Sequence, residues 1–224
     1  IITQDSNRGA ILDSIFHSHS IKKFFLPVSL KDDDFAREIS NKKNDDFLKE
    51  KTIIMQISIY FERGSDLLIE AFQKLNSNVE LHLQGKVFPA LEKFMATKER
   101  KPNIFYTCDN LTTMRKNISE ADIGFLSYRI RDLNNYFISK ASGQLVEFLR
   151  FGIPVIVFES LELGEFVKNN NIGIFISNIS DIEDAINKII ENYKYYSENA
   201  RKTYENTFNI DKYTDKLISN LYNI

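Results

Sequence analysis

The sequence predicts an α/β fold, a doubly wound, mostly parallel sheet of about six strands with helices on both faces. Two observations carry that expectation. From residue 52 onward, short apolar runs of strand length alternate with amphipathic stretches of helical period. The inner runs, such as Val155-Ile156-Val157-Phe158, are apolar at every position, as strands covered on both faces must be. Strand–helix–strand order implies parallel pairing, because each strand must be re-entered from the same end after a crossover. Ligands of such sheets bind beyond the carboxyl ends of the strands, where strand order reverses.

Residues 1–3 read as the end of a strand, 5–16 as a helix, and 24–28 as a short apolar run broken by Pro27. The chain opens on Ile1 in mid-pattern, so residues 1–30 are expected to be the remnant of a preceding domain and its crossover. Residues 31–51 hold many charges and no clean period, and read as a charged linker with one exposed helix over 33–39. The main domain is then 52–224. Its strands are expected at 53–59, 79–83, 103–106, 123–126, 155–158 and 174–176. Its helices are expected at 65–75, capped by Ser65, and at 90–96, 111–118, 142–151, 161–167, 179–193, 195–207 and 211–222. Residues 127–141 read as a loop rich in Arg, Asn, Asp and Tyr. Ile210, Tyr213, Leu217 and Leu221 form an apolar stripe expected to stay partly exposed.

The chain has 224 residues, 43% hydrophobic, 27% charged and 12% aromatic, the values of a globular chain with a full core. Its net charge of −2 gives no basic excess that would call for nucleic acid. With Cys108 alone, no disulfide can form within the chain, and a reducing, cytoplasmic compartment is expected. No apolar run reaches the about 20 residues of a membrane-spanning helix, and no signal-peptide pattern is visible.

The stretch Ser139-Lys140-Ala141-Ser142-Gly143-Gln144-Leu145-Val146-Glu147 carries the most chemistry. Ser142 and Gly143 would open a helix, where free amides and the helix dipole favour a phosphate. Helical side chains lean toward the N-terminus, so Glu147, one turn in, can reach the same ligand and accept from two ribose hydroxyls. Gly152 and Pro154 then end the helix before the next strand. These residues alone fit a capped surface helix with one solvated Glu equally well.

The pattern from Ser142 to Val157 resembles the segment SGKLxEYLAxGxPVI of retaining GT-B glycosyltransferases of the group 1 or family 4 type. Glu147 matches the second glutamate of that family's E-x7-E motif, and the first falls on Ser139. Residues 62–72 are similar to the family's EKGxDLLIEAF, with Arg63 where a diphosphate-binding Lys stands and Ser58 where an Arg is usual. Cys108 and Asp109 fall on the loop where the family lays its nucleobase.

The resemblance implies a Rossmann-like, donor-binding C-terminal domain that takes a UDP- or GDP-linked sugar, with no cofactor and no metal. Arg63, the Ser142 and Gly143 amides and Lys140 would meet the diphosphate, Ser139 would sit at the sugar, and Glu147 would hold the ribose. The acceptor, a glycan or lipid-linked glycan, would be held by an N-terminal domain. The full enzyme would act in polysaccharide biosynthesis at the inner face of the membrane, and this fragment alone would transfer nothing. The replaced Ser139 and Ser58 also fit a noncatalytic domain of the same fold, and a sugar-nucleotide epimerase is a further alternative. Arg129 and Arg131 are lesser candidates for the diphosphate. His17 and His19 lack further ligands for a metal. Asp32-Asp33-Asp34 reads as a solvated charge run.

Overall fold

The computed structural model describes residues 1–17, 19–45, 51–75, 78–129 and 132–222. A two-stranded parallel pair, β1 (Ile2–Thr3) and β2 (Phe24–Phe25), flanks α1 (Ser6–Phe16). After α2 (Asp34–Asp45) comes the main sheet, whose strands are β3 (Thr52–Ile57), β4 (Val79–Gln84), β5 (Ile104–Thr107), β6 (Ile123–Ser127), β7 (Val155–Phe158) and β8 (Gly173–Ile176). They lie in the order β5-β4-β3-β6-β7-β8, every pair parallel. The order reverses between β3 and β6, so that is where the carboxyl ends open a crevice. The crossover helices are α3 (Ser65–Phe72), α4 (Pro89–Ala96), α5 (Leu111–Glu120), α6 (Leu133–Tyr136), α7 (Gly143–Arg150) and α8 (Leu161–Asn170). The chain closes with α9 (Ile182–Glu191), α10 (Tyr193–Thr203) and α11 (Asp211–Tyr222).

Alternate residues of each inner strand feed opposite cores. Ile54, Phe125 and Ile156 pack with Leu68, Phe72 and Ile186 on one face. Met55, Leu126, Val155 and Val157 pack with Phe148, Phe151 and Tyr204 on the other. Those side chains are essentially without exposure, which is why the strands read as unbroken apolar runs.

Four expectations need correction. The charged segment 31–51, of which 46–50 lie outside the described residues, is not exposed throughout. Helix α2 runs to Asp45 and buries Ala36, Ser40 and Lys43. Lys43 Nζ donates to the carbonyl of Ala121 at 2.5 Å and lies 3.7 Å from the buried Asp122. The acidic run is not solvated as a whole. Asp32, with 9% of its side chain exposed, pairs with Arg201 at 2.5 Å and with Arg37 at 3.0 Å, while Asp34 alone is fully out in solvent at 99%. Ser65 is not the cap of α3. Gly64 holds that position at φ 64, and the Ser65 hydroxyl accepts from the Tyr60 N–H at 3.1 Å instead. The span 127–141 contains α6, capped by Asp132, whose carboxylate accepts from the Asn135 N–H at 2.8 Å. At the C-terminus, Ile210, Tyr213 and Leu217 are half-buried, so the stripe is partly open, while the side chain of Leu221 lies outside the described residues.

Candidate functional site

Three segments meet at the reversal of strand order: the turn after β3, the residue after β6, and the start of α7. Together they wall a cleft of ≈ 370 Å³ lined by Arg63, Tyr128, Ser142, Gly143, Gln144 and Glu147, with apolar neighbours such as Ile57 and Met114.

The first wall is a tight turn. It closes at Gly64, where a Cβ would come within 3.2 Å of the Ser127 hydroxyl and φ 64 disfavours any side chain. Gln56 of β3 donates its side-chain amide to the Arg63 carbonyl at 2.6 Å. Arg63 Nε donates to the Tyr60 hydroxyl at 2.8 Å, and its guanidinium lies 3.7 Å above the Tyr128 ring. Arg63 Nη1 is buried and has no hydrogen-bond partner.

Tyr128 is 3% exposed. Its N–H donates to Ser160 Oγ at 2.9 Å, and its hydroxyl is hydrogen-bonded to Ser142 Oγ. Burial holds the phenol above its usual pKa, outweighing the lowering by Arg63 and by the Ser142 bond.

The third wall is α7. Ser142 Oγ accepts from the Leu145 N–H at 3.1 Å and caps the helix. Among the described residues, the Gly143 and Gln144 N–H groups have no hydrogen-bond acceptor. The helix lies close on the sheet because β6 carries Gly124, where a Cβ would fall 2.5 Å from the Phe148 ring. One turn in, Glu147 Oε2 accepts from Arg150 Nη2 at 2.7 Å, with 16% and 5% of the two side chains exposed. Arg150 is itself held by the Lys31 carbonyl at 3.4 Å and lies 3.8 Å from the Asp33 carboxylate, which also binds Arg115. Burial raises the Asp33 pKa, but the Ala36 N–H, Arg115 and Arg150 together hold it below the usual value. Arg201, paired with Asp32, donates to the Arg150 carbonyl at 2.7 Å. The acids of residues 32–33 thus buttress the back of Glu147.

Four of the residues expected from the sequence therefore converge: Arg63, Ser142, Gly143 and Glu147. The other four do not line the cleft. Ser139 is 3% exposed, and its N–H and hydroxyl donate to the Glu162 carboxylate at 3.0 and 2.5 Å. Lys140 contributes its carbonyl to the Val28 N–H at 2.9 Å and is not among the residues that line the cleft. The exposed Cys108 and Asp109 follow β5, two strands from the reversal, where Asp109 accepts from Asn117 at 2.9 Å. Arg129 lies 3.7 Å from Asp66 and 3.8 Å from Glu159, and Arg131 is outside the described residues. Tyr128 is the residue that sequence reasoning missed. A tyrosine one position past an apolar strand was a usable signal.

Among the described residues no three His, Cys, Asp or Glu side chains gather as metal ligands would, and no helix is long and apolar enough to cross a membrane. A larger groove of ≈ 600 Å³ lies along the edge strand β5, lined by Gln73, Lys98, Lys101 and Tyr106 among others.

A six-stranded parallel sheet with a cleft at its reversal point is the architecture of a GT-B glycosyltransferase C-terminal domain, and the comparisons agree on that class. The chain belongs to the family described as glucosyltransferase 3-like, C-terminal domain, whose model matches residues 67–221. Among solved structures, HepE of Anabaena in complex with UDP is 13% identical and covers 100% of this chain and 63% of its own, with a TM-score of 0.73. A glycosyltransferase of Rickettsia africae is 15% identical over 97% and 61%, with a TM-score of 0.71. WaaG, a glycosyltransferase of lipopolysaccharide biosynthesis, is 18% identical over 91% and 58%, with a TM-score of 0.62. The chain thus spans about three fifths of the length of these structures. No curated protein sequence matches it.

Proposed function

We propose that the cleft binds the nucleoside diphosphate of a UDP- or GDP-linked sugar, and that the whole enzyme transfers the sugar to a glycan acceptor with retention of configuration. The observation that carries this reading is that Arg63, whose buried Nη1 has no hydrogen-bond partner, lines the same cleft as the free Gly143 and Gln144 amides. Donors without acceptors, gathered at a helix N-terminus, suit an anion rich in lone pairs. Charge develops on the diphosphate as the sugar leaves, and preoriented donors stabilise it without reorganising, so these groups of the chain take the role that a metal would otherwise fill. Glu147, fixed from behind by Arg150, offers its carboxylate to the ribose hydroxyls. The acceptor is held by a second domain, and the setting is polysaccharide synthesis at the cytoplasmic face of a membrane touched peripherally.

A noncatalytic domain is the second reading. It is favoured by the Ser139 hydroxyl, which is turned onto Glu162 rather than into the cleft. Isothermal titration with UDP and GDP tests the binding site. Wild type should bind one of them at a single site, and Glu147→Ala should weaken that binding about tenfold, the loss of hydrogen bonds to a charged group. If wild type binds neither, or the variant binds equally well, the reading fails. Sugar release from the donor by the full-length enzyme separates the catalytic from the noncatalytic form.

A further inference from the structure

Tyr128 touches both halves of the cleft. Its ring lies 3.7 Å beneath the Arg63 guanidinium, and its hydroxyl binds Ser142 Oγ at the start of α7. Its backbone is fixed as well, because its N–H donates to Ser160 Oγ at 2.9 Å. The residue is therefore held at three points, two of them on the side chain, and is 3% exposed. Arg63 has one other side-chain partner, the Tyr60 hydroxyl at Nε, with the Tyr60 ring further off at 5.6 Å. Among the described residues the Nη1 end is buried with no hydrogen-bond partner. A guanidinium is a long, rotamer-rich group, and a face-on aromatic ring fixes its plane while leaving its edge N–H groups free.

We propose that Tyr128 is a positioning residue for the diphosphate: its ring sets the plane and height of the Arg63 guanidinium so that this cation and the α7 amides, which line one cleft, reach the same phosphate group. The inference rests on the reading of the cleft as a nucleoside-diphosphate site. A flat aromatic platform is the working part, and the hydroxyl anchors that platform to the helix whose amides complete the site. Tyr128 acts through Arg63, so its effect should vanish where Arg63 is absent and where the ligand has no phosphate.

The test compares UDP with uridine by isothermal titration on wild type, Tyr128→Met, Tyr128→Phe, Arg63→Ala and the Arg63→Ala/Tyr128→Met double variant. Methionine fills the space without a π face. Tyr128→Met should weaken UDP binding about fivefold to tenfold, the range of a desolvated cation–π contact, and leave uridine binding unchanged. Tyr128→Phe should recover most of the UDP affinity. The double variant should bind UDP no worse than Arg63→Ala alone, because the two residues act as one unit. Equal losses for UDP and uridine, a Phe variant as weak as Met, or additive losses in the double variant would each overturn the proposal. If Tyr128→Met fails to fold, Tyr128→Phe and Tyr128→Leu give the same contrast. Wild type that does not prefer UDP over uridine would sink the cleft reading itself. Wild-type preference retained in full by Tyr128→Met would sink only the role of Tyr128.

Discussion

Two cavities of this domain differ in a way that size does not capture. The groove beside β5 encloses ≈ 600 Å³ and the switch-point cleft ≈ 370 Å³. In the groove, two of the three lining cations have partners, and Arg100 stands exposed to solvent. Lys98 pairs with Glu70 at 2.6 Å and lies over the Phe94 ring, and Lys101 stands 3.4 Å from Glu99. In the cleft, Arg63 Nη1 and the first amides of α7 have none. The smaller cavity holds the donors that are both unpaired and withheld from water, whereas Arg100 of the groove is solvated, and an anionic ligand gains most where the protein has left a desolvated donor unpaired. The cleft also lies at the carboxyl ends of β3 and β6, where strand order reverses, and the groove lies along the outer edge of the sheet.

The largest effect that would sharpen this contrast belongs to Arg63. Arg63→Ala should weaken UDP binding about 10- to 100-fold, the loss of hydrogen bonds from a charged donor at about 1.5–3 kcal/mol. Lys101→Ala, in the larger groove, should change it less than about twofold, the scale of an exposed ion pair. Calorimetry reads both, and a loss confined to Lys101→Ala would break the comparison. Because Nη1 is buried without a partner, Arg63→Ala should not lower the melting temperature as a core truncation would.

A smaller effect concerns the buttress behind Glu147. The folded-state pKa of Asp33 lies below the ordinary value of an aspartate. A depressed carboxylate contributes stability that is full above the unfolded pKa and lost as pH falls through the folded one. Wild type should therefore lose this contribution on acidification below about pH 4. Asp33→Asn should melt lower than wild type at neutral pH, and the gap should narrow as pH drops. Thermal melts across that range show it, and a gap that is constant with pH would contradict the role given to Asp33.

Much of the sheet was legible because it obeys a local rule. Val155–Phe158 reads as a buried strand from four residues, and Ser142-Gly143 followed by Leu145, Val146, Phe148 and Leu149 reads as a helix start. The same stretch yielded Ser142, Gly143 and Glu147, and the turn after β3 yielded Arg63. What stayed hidden depends on partners distant in sequence. Asp32 meets Arg201 across 169 positions, so the acidic run looked solvated. The buried stripe of α2 is Ala36, Ser40 and Lys43, which carries no hydrophobic signal although it packs. Ser139 looked like a site residue until Glu162, 23 positions on, took both of its donors. Tyr128 lay in a span that read as loop, and its role comes only from Arg63 and Ser142 folding over it.

Backbone amide NMR during a UDP titration tests the central claim most directly, because it locates the ligand without assuming a residue's role. The largest shifts should fall on Gly143, Gln144 and the Arg63 turn, with the signals of Gln73, Lys101 and Tyr106 unmoved. Shifts gathered on those last three residues, or no shifts at saturating UDP, would contradict a nucleoside-diphosphate site at the reversal of the sheet.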